Sequence, residues 1–150
     1  MMNNHSNRFW RAAVIGVAVV AGACGGGDDG GGAANKGAWD KKYAAIVKSV
    51  SDDIDRSIQA LNAGQRPVVL SECTQLTEDL AEAKKAVPVP DATVDAALRK
   101  GLADTNTAAA TCMEGGRVAT DASIVEKAQR EMKTARESYD KAQDAIAAWG

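Results

Sequence analysis

From Trp39 to Trp149 apolar residues return every three or four positions, and no stretch alternates as a strand would. That period admits helices and little else. Trp39, Tyr43, Ile46, Val47, Val50, Ile54, Ile58 and Leu61 make one stripe along a helix of about 23 residues, at roughly 3.6 residues per turn. Gly64 ends it, and Pro67 suits the first turn of the next helix, whose stripe is Val69, Cys73, Leu76, Leu80, Ala83 and Val87. Val87-Pro88-Val89-Pro90 cannot stay helical, because each proline lacks an amide hydrogen and pushes its predecessor towards extended backbone. Asp91 then caps a third helix striped by Val94, Leu98, Leu102, Thr105, Ala109 and Cys112, which Gly115-Gly116 is expected to break. A fourth helix starts between Arg117 and Ser123, with Ser123 and Glu126 spaced as a capping box and Thr120 as the other candidate cap. Its stripe is Val125, Ala128, Met132, Ala135, Tyr139, Ala142, Ile146 and Trp149. Four helices of similar length with short connections define the expected fold: all-α, an antiparallel up-down-up-down four-helix bundle.

Ahead of this domain lies an address. Arg8 and Arg11 precede an apolar run from Ala12 to Ala23, then come Cys24 and Gly25-Gly26-Gly27-Asp28-Asp29-Gly30-Gly31-Gly32. Twelve residues rise only about 18 Å as a helix, against a hydrocarbon core of about 30 Å, so the run reads as an export signal. Ala21-Gly22-Ala23-Cys24 resembles the lipobox of bacterial lipoproteins, with Ala21 where that pattern usually holds Leu. The resemblance implies cleavage before Cys24 and lipid on Cys24. Ala21-Gly22-Ala23 also fits the small-x-small site of an ordinary signal peptidase, so a secreted soluble protein is the alternative. The expected divisions are a signal peptide at 1–23, a flexible Gly/Asp-rich tether at 24–37 and the helical domain at 38–150.

The cysteine count agrees with that reading. Three cysteines leave one over in any disulfide scheme. If Cys24 carries lipid, Cys73 and Cys112 remain to pair in an oxidising compartment, both on inward stripes of consecutive helices. A bond closing about 40 residues contributes on the order of 4 kcal/mol in the chain-entropy model. Helix geometry puts Cys73 about 20 Å before the end of its helix and Cys112 about 30 Å into the next. Pairing therefore requires Val87-Pro88-Val89-Pro90 to run extended, at about 3 Å per residue.

Loss of the signal also removes chemistry. The only histidine, His5, and the only phenylalanine, Phe9, leave with it, so the mature chain has no imidazole for a general base, a nucleophile pair or a metal site. With Cys73 and Cys112 bonded there is no thiolate. The expectation is a non-enzymatic chain with no cofactor and no metal. Of the 18 basic residues 16 remain, against 20 acidic ones, a net charge of −4 with no concentrated basic face for nucleic acid.

Cys73, Val87-Pro88-Val89-Pro90-Asp91, Ala97-Leu98 and Cys112 with a glycine beyond it, behind Cys24-Gly25-Gly26-Gly27, resemble a group of small helical lipoproteins of high-GC actinobacteria. The resemblance implies an address on the outer face of the cytoplasmic membrane and a helical architecture, and it assigns no functional residues.

Three features are candidates for sites. Asp52, Asp53 and Asp55 invite a cation, but the glycine and distal glutamate of a calcium loop are missing, so a solvated helix face is expected. Glu126/Arg130, Lys127/Glu131, Lys133/Glu137 and Arg136/Asp140 are opposite charges four apart, expected to be surface support. Trp39, Tyr43 and Trp149, with Tyr139 about two turns further in, should gather at the tethered end of the bundle. There they either plug a core made thin by alanine, or meet a membrane interface or a small apolar ligand. The partners this reading names are the membrane, through the lipid, and an envelope protein or small ligand.

Overall fold

The computed structural model describes residues 31–117 and 121–150, with side chains from Asn35 onward. The export signal, Cys24, the first part of the tether and Thr120 lie outside the described residues. The domain is all-α: α1 spans Gly31–Ala63, α2 Arg66–Ala83, α3 Ala92–Arg117 and α4 Ala122–Ala148, with a single 3-10 turn at Lys84–Ala86 after α2.

Cross-helix pairs set the arrangement. Ser49 meets Asp79 and Arg56 meets Glu72, so α1 and α2 run antiparallel. Cys73 bonds Cys112 and Lys84 reaches Asn106, which does the same for α2 and α3. Gly101 faces Tyr139 while Gly115 faces Val125, so α3 and α4 are antiparallel too. Tyr139 reaches Val47 and Gln129 reaches Asn62, closing α4 on α1. The expected stripes form the core, with Val50, Ile54, Leu76, Leu80, Leu98, Met132 and Tyr139 almost fully buried.

At the α2–α3 connection the cysteines meet as expected, but the chain is extended at Val87 and bends at Pro88 and Pro90 in place of running straight. Val87 is extended (φ −104°, ψ 143°) and the Cα atoms of Cys73 and Cys112 lie 6.0 Å apart, within the range a disulfide spans. Asp91 caps α3, its carboxylate accepting from the amides of Thr93 (2.8 Å) and Val94 (2.9 Å). Asp95, one turn on, reaches back to the Val89 amide at 2.8 Å, a second cap that the sequence reading missed. Arg99, and then the Val89 amide, hold the Asp95 carboxyl below the usual carboxylate range.

Three boundaries differ from expectation, each for a physical reason. First, α1 begins at Gly31, so residues 31–37 are helix and not tether. Lys36 pairs with Asp40 one turn on (2.6 Å), and Trp39 is anchored in the bundle, so the helix is supported from within. Second, α3 runs through Gly115-Gly116 to Arg117. Both glycines are buried; a Cβ on Gly116 would stand 2.8 Å from Leu70 Cγ, so the pair admits a neighbouring helix. Third, Asp121 and not Ser123 caps α4, accepting from the Ser123 amide at 3.0 Å and from its hydroxyl.

Gly101 shows how close α3 and α4 come. A Cβ there would lie 3.2 Å from Tyr139 Cδ2, 3.3 Å from Tyr139 Cα and 3.4 Å from the Ser138 carbonyl oxygen. Two of those atoms are backbone, which cannot rotate away. Gly101→Ala should therefore lose about 1 kcal/mol despite its better helix propensity, while Gly37→Ala, open on all sides, should gain up to about 1 kcal/mol. Urea unfolding of both variants checks this; equal gains would show that the helices do not pack this tightly.

Candidate functional site

The end of the bundle from which the chain runs back towards Cys24 is built around Trp39. Trp39 sits on α1, and its indole N–H donates to the Ala86 carbonyl at 2.9 Å, tying α1 to the 3-10 turn. Trp149 follows the last residue of α4, its amide donating to Ala145 and Ile146, and turns its ring edge-on to Trp39 with centroids 5.9 Å apart. Tyr43 lies on the other side of Trp39, centroids 5.8 Å apart. Trp39 is 5% exposed and Trp149 8%. The two tryptophan rings fill the end of the core and do not face outward, while Tyr43 is half-buried.

Tyr139 is not part of this group. It is fully buried further along α4 against Gly101, its hydroxyl donating to the Val47 carbonyl at 3.0 Å, and burial raises the phenol's pKa. The sequence brings three of the four aromatics together and places the fourth in mid-core.

What this end presents to solvent is lysine. Lys36 lies 5.9 Å from the centre of the Trp149 ring and Lys42 lies 4.9 Å from that of Tyr43. Beside them a groove of about 380 Å³ opens between α1 and α2, lined by Lys42, Tyr43, Ile46, Glu82 and Lys85. Its floor is apolar and its two rims each carry a lysine. Periodicity could not find it, because the stripes name what is buried and not what flanks it.

The aspartate cluster divides. Asp52 and Asp55 are about half exposed: Asp52 pairs with Lys48 at 2.7 Å, which holds its carboxyl below the usual range, and Asp55 pairs with Arg136 at 3.3 Å. Asp53 contradicts the solvated-face reading, being fully buried. One of its oxygens is held by Arg56, which also reaches Glu72 on α2 at 3.1 Å. The other has no hydrogen-bond partner, and neither does the buried Ser57 hydroxyl one turn later. Adjacent residues of a helix point about 100° apart, so the cluster never converges. Among the described residues no three Asp, Glu, Cys or His side chains are placed to hold a metal ion.

The charged ladder on α4 is likewise more than surface support. Arg130 meets Glu126 at 3.8 Å as an exposed pair, and Lys127 meets Glu131 at 3.7 Å, with Glu131 partly buried. Arg136 bonds Asp140 but also Asp55 and the Ser51 hydroxyl, clasping α4 to α1. Glu131 and Asp104 line a small groove between α3 and α4 with Thr107 and Thr134, although the helical stripes place no carboxylates together. Lys100 and the Ser138 hydroxyl hold the Asp104 carboxyl below its usual range, which suits a fixed anion better than a proton donor.

Compared with protein-family models, curated proteins and solved structures, the chain matches none of them. The reading of function therefore rests on its own residues.

The Asp53–Arg56 pair yields a direct test. Removing the guanidinium leaves a buried carboxylate without its one partner, a change that costs about 3 kcal/mol in comparable settings. Arg56→Ala should lower stability by about 2–3 kcal/mol, and adding Asp53→Asn should restore most of it. Lys48→Ala, which removes an exposed pair, should cost less than about 0.5 kcal/mol. Denaturant unfolding reads all three; an Arg56→Ala loss no larger than that of Lys48→Ala would contradict the burial of Asp53.

Proposed function

We propose that this chain is a lipoprotein of the outer face of the cytoplasmic membrane, tethered through Cys24, whose helical domain acts by binding or as a structural component of the envelope and not by catalysis. One observation carries the reading. Cys73 and Cys112 are joined across α2 and α3 with Cα atoms 6.0 Å apart, which accounts for two of three cysteines and leaves Cys24 alone beside a cleavage motif. Such a bond persists outside the cytoplasm, in agreement with the export signal. The absence of histidine after residue 5 and the engagement of buried carboxylates with basic neighbours support a non-catalytic domain.

The groove beside Tyr43 favours a second reading, a lipoprotein that holds a small amphiphile over an apolar floor between two lysines. The secreted soluble form remains the alternative to the tethered one, and Cys24 decides between them.

Expressed in a bacterial host that lipidates its lipoproteins, the wild-type chain should partition into the detergent phase of a cloud-point separation. Cys24→Ser should move it to the aqueous phase or leave it unprocessed. Equal partitioning of the two would refute the anchor.

A further inference from the structure

We propose that the α1–α2 edge of the tethered end, centred on the groove between Lys42 and Lys85, docks on anionic phospholipid headgroups. The inference rests on the lipid anchor at Cys24 and names the surface on which the anchored domain lies.

Chain length is the first argument. α1 begins at Gly31, seven residues after Cys24. At no more than about 3.6 Å per residue that stretch reaches at most about 25 Å, whatever its conformation. Lys36 and Lys42 follow within about 17 Å along α1. The domain thus has one end permanently close to the bilayer, and that end belongs to α1.

Charge is the second argument. At this end α1 carries Lys36, Lys41 and Lys42 and the 3-10 turn carries Lys84 and Lys85, all but Lys36 exposed. Lys42 and Lys85 line the groove, while Lys36 lies over Trp149 and Lys84 reaches α3. Asp40 pairs with Lys36 and Glu82 with Lys85. Among the described residues no carboxylate lies within ion-pair distance of Lys41, Lys42 or Lys84, and Lys84 meets only the Asn106 amide oxygen at 2.7 Å. The edge therefore keeps an excess of positive charge on a domain that is otherwise net acidic. The α3 and α4 ends carry Asp91, Asp95 and Asp144, with Arg99 paired to Asp95 and Lys141 on α4, and so have no such excess. The excess of positive charge lies on α1 and the 3-10 turn, which is the part of this end drawn towards an anionic surface. Anionic headgroups attract clustered lysines within about one Debye length, about 8 Å at physiological salt, which the tether makes reachable.

The groove adds a fit. A phosphate oxygen meets Lys42, whose ammonium has no carboxylate partner, and competes with Glu82 for Lys85, while Tyr43 and Ile46 offer apolar surface to glycerol and the upper acyl carbons. The buried rings of Trp39 and Trp149 serve here as the rigid support of that edge and not as the contact.

Trp10 leaves with the signal, so Trp39 and Trp149 are the only tryptophans of the mature chain and both report on this end. The lipidated protein is reconstituted in vesicles of neutral phosphatidylcholine, or of phosphatidylcholine with one-third phosphatidylglycerol, each with a headgroup-nitroxide lipid. Tryptophan quenching should be at least twofold greater in the anionic vesicles, and 0.5 M salt should abolish the difference. Lys42→Glu with Lys85→Glu should abolish it at low salt, Lys42→Gln with Lys85→Gln should reduce it, and Lys127→Glu with Arg130→Glu at the far end should leave it unchanged. Equal quenching in both vesicle types, or loss with the far-end variant alone, overturns the docking. Flotation with neutral vesicles at high salt reads the anchor separately. If the protein fails to float there, the anchor reading falls, and flotation of that protein with anionic vesicles at low salt decides the docking: no flotation overturns it.

Discussion

The bond between Cys73 and Cys112 sets the register on which the rest of the domain depends. It brings a point ten residues before the end of α2 level with a point twenty residues into α3, and two helices joined by a tight turn cannot meet in that register. The difference, about 15 Å, is taken up by the 3-10 turn and the non-helical residues after it. That detour carries the Ala86 carbonyl to the end of the bundle, where it receives the Trp39 indole. Trp39 in turn fixes the start of α1 against Trp149, and the same 3-10 turn sets Lys85 opposite Lys42. A covalent link between the second and third helices thus shapes the surface made by the first and second.

Close packing carries the other half of the domain. With Ala128, Ala135 and Ala142 on α4 and Gly101, Ala108 and Gly115 on α3, the two backbones approach closely enough that an added methyl at Gly101 meets Tyr139 Cα. α1 is held differently. Its buried set includes Ser51, Asp53 and Ser57, and it is clasped by Arg56 to α2 and by Arg136 to α4. Polar contacts of this kind add specificity of register more than stability, since each charge gives up water to make them.

The helices, their stripes and the cysteine pairing were legible because each depends on a local period or a count. The end of helix at Val87–Pro90 was legible because proline chemistry stops the helix there and the cysteine register asks for added length; the bends at Pro88 and Pro90 were not. Gly115-Gly116 was misread because glycine breaks an isolated helix but also admits a close neighbour, and only the position of Leu70 tells these apart. Asp53 was misread because three aspartates within four residues look solvated, while the burial of one depends on where α2 lies. Counting turns put Tyr139 about two turns inside the end cluster, and it lies there in mid-core against Gly101, too far in to share a surface with the tryptophans. The lysine-rimmed groove had no sequence signal at all, since it is assembled from two helices by the detour between α2 and α3.

Envelope tethering and a thiol-free domain stand or fall together on the three cysteines. Intact mass of the protein taken from the membrane fraction of its native host, measured after alkylation with and without prior reduction, reads all three at once. The account predicts a chain that starts at Cys24 and bears diacylglycerol, takes up no alkylating agent before reduction and takes up two after it. A chain with an unmodified Cys24, or one alkylated at Cys73 and Cys112 without reductant, would contradict it.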